Sequence, residues 1–67
     1  MKQYFISFYY NGTYEGKAFN QHMSDIIAMD LDKISVAEKA QELVKKYEPA
    51  CKDIKVDVTI IAFNNID

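Results

Sequence analysis

The first strand of this chain carries large apolar side chains on both of its faces. Residues 4–10 have the sequence YFISFYY, with five aromatic residues in seven positions. Successive side chains of a β-strand point to opposite sides of the sheet, so both sides of this segment are apolar. We therefore predict that it occupies the centre of a sheet and that each side of that sheet needs a cover.

A hairpin turn is predicted directly after this strand. Asn11-Gly12 tolerates the positive φ angles of a two-residue turn. A strict two-residue turn would place charged side chains on the core side of the second strand, and a bulge or one extra loop residue at Gly16 avoids this. The shifted register that we predict pairs Ala18 with Ile6 and Phe19 with Phe5.

The rest of the chain predicts one helix and a third strand. The second strand is expected to end near residue 23, and residues 24–34 are ambiguous between strand and helical turn, with an extended continuation favoured. Ser35 and Glu38 form a capping box before an amphipathic helix of about fourteen residues, which Pro49 ends. Its apolar positions are Val36, Ala40, Leu43, Val44 and Tyr47. The tail, residues 54–66, has a strand pattern.

This order of elements predicts a single α+β domain over residues 1–67. A ββαβ chain with a right-handed crossover forms a three-stranded antiparallel sheet in the order 2-1-3, with the helix on one face. The side chains expected to face the helix are Tyr4, Ile6, Phe8, Val56, Val58, Ile60 and Ala62. Those expected on the opposite face are Phe5, Tyr9, Phe19, Ile61 and Phe63.

The predicted opposite face needs a partner because a domain of 67 residues has little stability to spare. We predict a homo-oligomer whose interface contains Phe5, Phe19, Ile61 and Phe63. The alternative is that residues 24–34 fold back over this face, with Ile26, Ile27, Met29 and Leu31 as its cover.

Composition excludes several classes of function. The net charge of -2 disfavours direct binding to nucleic acid, and no run of about 18 apolar residues predicts a membrane span. A cytoplasmic protein is therefore expected. One cysteine, Cys51, cannot form a disulfide within the chain, and neither a structural metal nor a cofactor is predicted.

No catalytic motif is found. His22 has no nucleophile or acid at a recognisable spacing, and Cys51 has no basic neighbour that would activate its thiol. The acidic residues Asp25, Asp30 and Asp32 lack the spacing of a calcium loop. We therefore predict a protein that is not an enzyme.

Polar and aromatic residues cluster around the predicted hairpin. Tyrosine rings stack on flat molecules, while amides, hydroxyls and an ammonium group supply hydrogen bonds, a composition suited to a nucleotide-like ligand or to a protein contact. Ordinary surface polarity is the alternative interpretation. The predicted ligand-binding residues are Tyr9, Tyr10, Asn11, Thr13, Tyr14, Lys17, Asn20 and Gln21.

The segments YFISFYYNG, GKAFN and VTIIAFNNI resemble short β-β-α-β proteins of unknown role in phages and prophages. Residues 4–7 match the first strand of that family, and Gly16, Phe19 and Asn20 match a second block loosely. The resemblance implies a viral protein that acts in the host cytoplasm as a counter-defence factor, sequestering a nucleotide-like immune signal as an oligomer. The alternatives are an anti-CRISPR-like inhibitor of a host defence protein and an enzyme that degrades the signal through His22.

Overall fold

The first two strands form one long hairpin. A computed structural model describes residues 1–66, in which β1 runs from Lys2 to Tyr14 and β2 from Lys17 to Met29. The two strands pair antiparallel along their whole length, from Lys2 opposite Met29 to Tyr14 opposite Lys17. The aromatic and β-branched content of β1 suits this extended backbone.

The turn of the hairpin lies at Glu15 and Gly16, and the predicted turn at Asn11-Gly12 is wrong. Glu15 has a φ of 51° and Gly16 a φ of 79°, the pair of positive angles that a tight two-residue turn with the right twist requires. The later turn lets β1 and β2 pair over thirteen residues each, and the added ladder hydrogen bonds outweigh the local preference of Asn11-Gly12.

The predicted register is wrong for the same reason. Ala18 lies opposite Thr13 and Phe19 opposite Gly12. Gly12 is an interior strand residue whose missing side chain provides space, since a Cβ there would lie 3.0 Å from the Lys55 carbonyl oxygen and 3.0 Å from the Phe19 ring.

The third strand, β3, runs from Asp57 to Asn65 and pairs antiparallel with β1 on its other side. The sheet order β2-β1-β3 confirms the predicted topology. The register shifts near the middle of β3, where Ile60 lies opposite Phe8 and Ala62 opposite Ser7. Ile61 is the extra residue of a β-bulge, and every side chain after it changes face relative to an unbroken strand.

The helix α1 runs from Val36 to Tyr47 and confirms the predicted N-terminus. Ser35 Oγ accepts a hydrogen bond from the Glu38 backbone N–H at 3.2 Å and donates one to the Glu38 carboxylate at 3.2 Å. A short 3-10 helix, η1, follows from Pro49 to Cys51. Neither helix of residues 1–66 is long and apolar enough to cross a membrane.

Residues 24–34 do not cover the outer side of the sheet. Ser24 to Met29 continue β2, as the favoured extended interpretation predicted, and residues 30–34 form a turn before the helix. Ile27 and Met29 are buried on the helix side, whereas Ile26 is 62% exposed on the opposite side. The alternative in which this segment folds back over the sheet is therefore wrong.

Strand alternation and the bulge define two faces of the sheet. The core face packs against α1, and its fully buried side chains include Ile6 and Phe8, which meet Val44 of the helix in one cluster. The outer face takes the odd-numbered residues 3–13 of β1, the even-numbered residues 18–28 of β2, and residues 57, 59, 62 and 64 of β3. Ile61 lies at its β3 margin and is 52% exposed.

Three predicted face assignments are wrong. Phe63 lies opposite Ile6 and stacks on Tyr4 with 4.6 Å between ring centroids, so it belongs to the core face. Phe19 packs against the core beside Tyr10, and Ala62, predicted to face the helix, lies on the outer face. The bulge reverses the two β3 residues, and the later turn reverses Phe19.

We expect Gly12→Ala to destabilise the domain. The new methyl group meets a backbone carbonyl that cannot move freely, and this overpacking exceeds the entropic gain of replacing glycine, for a net loss of about 1 kcal/mol. In a domain of this size the midpoint of thermal unfolding falls by about 4–8 °C. Thr13→Ala, at the neighbouring exposed position, is the control and changes stability by about 0.5 kcal/mol or less. A Gly12→Ala variant as stable as the wild type would contradict the close contact.

The bulge predicts opposite results for two residues of β3. Phe63→Ala removes a ring that stacks on Tyr4 and should cost about 2 kcal/mol of unfolding free energy, less than a fully buried phenylalanine. Ile61→Ala removes an exposed side chain and should cost about 0.5 kcal/mol or less. Urea denaturation of both variants measures the difference. Equal losses, or a larger loss for Ile61→Ala, would show that the two residues are assigned to the wrong faces.

Candidate functional site

The end of the hairpin extends past the rest of the sheet. Asn11 opposite Asp57 is the last pair between β1 and β3, so residues 12–19 form a two-stranded arm with no third strand. On the core face of this arm, the helix has ended at Tyr47 and η1 lies at the side. The space between the arm and η1 is a cleft that no other element fills.

This arm cleft has a volume of about 450 Å³, which lies within the range of small-molecule sites. Its lining combines aromatic rings with amide, carboxylate and ammonium groups. The lining residues are Tyr10, Tyr14, Glu15, Lys17, Ala18, Phe19, Gln21, Glu48, Ala50 and Cys51.

The aromatic part of the cleft follows from strand alternation. Tyr10 lies two residues before Gly12 and Tyr14 two residues after it, so all three are on the core face. The ring of Phe19 occupies the space that the missing side chain of Gly12 leaves. Tyr10 is 3% exposed and meets Phe19 edge-on, with 6.2 Å between centroids. Tyr14 is 45% exposed at the end of the arm. The cleft therefore has a fixed aromatic floor and one accessible ring.

The charges around the cleft are mixed. Glu15 and Glu48 contribute two carboxylates and Lys17 one ammonium group. Burial raises the pKa of the Tyr10 hydroxyl above its ordinary value of 10.0, and the negative charges of Glu48 and Cys51 raise it further. The carboxylates of Glu15 and Glu48 favour neutral or cationic groups in the cleft over a cluster of phosphates.

The structure divides the eight predicted ligand-binding residues between the two sides of the hairpin. Strand alternation around the turn at Glu15-Gly16 is the cause of this division. Those in the arm cleft are Tyr10, Tyr14, Lys17 and Gln21. Those on the outer face are Tyr9, Asn11, Thr13 and Asn20.

Sequence reasoning missed six residues of the cleft. Phe19 was expected on the outer face, Glu15 and Ala18 lie at the turn that was misplaced, and Glu48, Ala50 and Cys51 come from the segment after the helix. Cys51 is 7% exposed, and its backbone N–H donates to the Glu48 carbonyl oxygen at 2.9 Å, which forms the η1 turn. Pro49 marked a helix end in the sequence, but no local signal placed that turn beside the hairpin.

His22 lies on the outer face in a small polar network. Its Nε2 is 2.8 Å from Ser7 Oγ, and the Ser24 hydroxyl donates to Ser7 Oγ at 3.1 Å. The Tyr9 ring meets the imidazole edge-on at 5.2 Å between centroids. We call the three hydrogen-bonded residues, Ser7, His22 and Ser24, the polar strip.

The polar strip has the contact distance of a nucleophile and its base, but it lacks the other parts of such a site. Ser7 is 8% exposed in the central strand, where pairing on both sides engages the backbone N–H groups that could bind an oxyanion. Asp25 is turned to the core face, where its carboxylate accepts from the Tyr47 hydroxyl at 3.2 Å. Within residues 1–66, no group of three or more histidine, cysteine or acidic side chains could hold a metal ion.

The raised pKa of Tyr10 predicts a loss of stability at alkaline pH. A folded-state pKa above the unfolded value means that the neutral hydroxyl stabilises the fold below pH 10 and that this stabilisation is lost as the pH rises through the folded pKa. Urea denaturation of the wild type and Tyr10→Phe from about pH 9 to 11 isolates this residue. The wild type should lose stability relative to the variant as the pH rises. If the unfolding free energies of the two proteins change with pH in parallel, the Tyr10 pKa is not raised by burial in the folded state.

Comparison with known proteins identifies no relative. A scan against protein-family models, a search of curated proteins and a search of solved structures each found no match to this chain. The resemblance to short phage proteins therefore stays a prediction from residues 4–20 and the last strand. Function has to be inferred from the arm cleft and the outer face themselves.

Proposed function

We propose that this chain is a non-enzymatic binding protein that holds a small, flat-ringed ligand of the nucleobase or nucleoside type in the arm cleft. One observation carries the proposal: a cleft of about 450 Å³ combines an aromatic floor with a rim of amide, carboxylate and ammonium groups. Sites for small ligands have this combination of apolar area and a few polar groups.

The side chains of the cleft have separable roles in the proposal. A flat ring stacks on Tyr14, the exposed ring of the cleft, and contacts the edge of Phe19 in its floor. The Gln21 amide both donates and accepts hydrogen bonds, and the Glu48 carboxylate accepts from amino groups. These groups match the edge of a nucleobase, which presents donors and acceptors side by side.

The charge of the cleft limits how many phosphates such a ligand carries. Lys17 is the one cation of the lining, against the carboxylates of Glu15 and Glu48. A single phosphate directed toward Lys17 and the solvent is compatible with this balance, while a triphosphate would be repelled by the carboxylates. We therefore expect nucleosides and nucleotides with one phosphate per base to bind more tightly than nucleoside triphosphates.

Sequestration, and not turnover, is the action that we propose. The one histidine of the chain belongs to the polar strip on the outer face, away from the cleft. A bound ligand would therefore be held intact, in proportion to the amount of protein. Removing a nucleotide-like immune signal in this way is the counter-defence role that the resemblance to phage proteins implies.

Two exposed tyrosines on opposite sides of the hairpin provide the test. Tyr14 is 45% exposed in the cleft and Tyr9 is 49% exposed on the outer face, so their alanine variants are matched in residue type and exposure. Calorimetric titration uses a panel of nucleosides, cyclic mononucleotides and dinucleotides, ADP-ribose and ATP. Tyr14→Ala should weaken binding about tenfold or more, as expected for the loss of one stacked base, and Tyr9→Ala should leave it unchanged.

Two results would contradict the proposal. If a ligand gives a heat of binding that is lost in Tyr9→Ala but kept in Tyr14→Ala, the binding site lies on the outer face. No heat with any member of the panel, from a protein shown to be folded, would exclude this ligand class. A host defence protein would then be the better partner, because β2 and β3 each have one free edge in the described sheet that another strand can pair with. Recovery of an altered ligand after heat denaturation would indicate an enzyme.

A further inference from the structure

The outer face of the sheet is almost free of charge. Of the positions that alternation and the bulge place there, Asp57 alone is charged, and it lies at the end near the arm. Charged residues make up 27% of the chain, and they are concentrated on the helix, in the loops and near the ends of the strands. A sheet face that remains in water normally carries charged and polar side chains. The near absence of charge from the outer face therefore requires an explanation.

The outer face carries exposed apolar side chains on all three strands. Phe5 lies opposite Ile26, which is 62% exposed, and Ile61 at the β3 margin is 52% exposed. Tyr9, on the same strand as Phe5, is 49% exposed. Depletion of charge around exposed aromatic and aliphatic groups is typical of the core of a protein interface.

The polar strip in the middle of this face keeps its own hydrogen bonds when the face is covered. The Ser7 hydroxyl is bonded to both His22 and Ser24, and the second ring nitrogen of His22 is left to pair with the other copy. A hydrogen bond that already exists between neighbours need not be replaced when the surface is covered. The strip therefore permits burial, whereas a row of lysines or glutamates would oppose it.

We propose that a second copy of this chain covers the outer face, so that two sheets pack face to face with both helices outside. A neutral face offers nothing to attract a charged partner, but it is compatible with itself, since a two-fold axis brings the same patch of both copies together. Phe5, Ile26 and Ile61 of one copy would then contact the same group in the other. The arm clefts lie on the core faces and stay open, so the dimer does not depend on a ligand.

The area of the face indicates how strong this dimer is. The molecule is 41 Å long, and three strands at a spacing of about 4.8 Å give a face on the order of 550 Å². Two such faces bury on the order of 1,100 Å², close to the lower limit for specific interfaces. We therefore expect a reversible dimer with a dissociation constant in the micromolar range, not a permanent assembly.

Sedimentation velocity over a range of about 1 to 500 µM protein, which brackets that range, tests this inference. The wild type should shift from monomer to dimer mass as the concentration rises. Ile26→Asp places a charge on the outer face at a position exposed enough to leave the monomer folded, and it should remain a monomer throughout. Ile61→Asp is a second variant at the β3 margin and should weaken the dimer at least tenfold.

Leu31→Asp is the matched control. Leu31 is a 49% exposed aliphatic residue in the turn before the helix, outside the outer face, and its variant should dimerise as the wild type does. A wild type that stays monomeric at all concentrations would overturn the inference and leave the face to a different protein. An Ile26→Asp variant that is folded and dimerises normally would show that the copies associate through another surface. Ligand titration of the Ile26→Asp variant tests the two proposals separately, because a monomer with an intact arm cleft should still bind the ligand.

Discussion

The whole structure depends on a central strand that is hydrogen-bonded on both sides and covered by one helix on one side. β1 and β2 span thirteen residues each, which corresponds to about 44 Å of extended chain. The helix α1 has twelve residues, or about 18 Å. A single helix therefore covers less than half the length of one face and none of the other. The arm cleft is the uncovered part of the core face, and the outer face is uncovered throughout.

The bulge at Ile61 determines how the aromatic side chains are shared between the two faces. Without it, Phe63 would lie opposite Phe5 on the outer face and Ala62 would point toward the helix. With it, Phe63 stacks on Tyr4 at 4.6 Å and extends the core to the end of β3. Gly12 has a similar effect at the other end of the sheet, where it admits the Phe19 ring. The bulge brings Phe63 to the core face, and the turn at Glu15-Gly16 brings Phe19 there, where Gly12 leaves room for its ring. The outer face keeps Phe5 and Tyr9.

The sequence was sufficient for the elements with local signals. Ser35 and Glu38 marked the start of the helix because a cap is formed by residues three positions apart, and the sheet order followed from the handedness of the crossover. The turn was misplaced because Asn11-Gly12 has a strong local preference that the long pairing of β1 with β2 overrides. The bulge at Ile61 has no signal in the sequence, since any residue can occupy it, so the face of Phe63 could not be predicted.

The candidate site was predicted only in part, because the position of the turn decides which residues face it. Tyr10, Tyr14, Lys17 and Gln21 were identified from composition, and they lie in the arm cleft. Composition cannot separate them from Tyr9 and Asn11, because the side on which a strand residue lies depends on a turn that was placed four residues too early. Glu48 and Cys51 could not be found at all. They reach the cleft only through the packing of the chain that follows the helix.

The distribution of aromatic rings between the two faces is the central claim, and ring-to-ring nuclear Overhauser effects measure it most directly. Tyr4 with Phe63 and Tyr10 with Phe19 should give cross-peaks, since their centroids are 4.6 Å and 6.2 Å apart. The Phe5 ring should give none to Phe63 and should instead contact the methyl groups of Ile26 across the β1–β2 pair. Cross-peaks between Phe5 and Phe63, with none from Phe63 to Tyr4, would contradict the account, because both phenylalanines would then lie on the outer face.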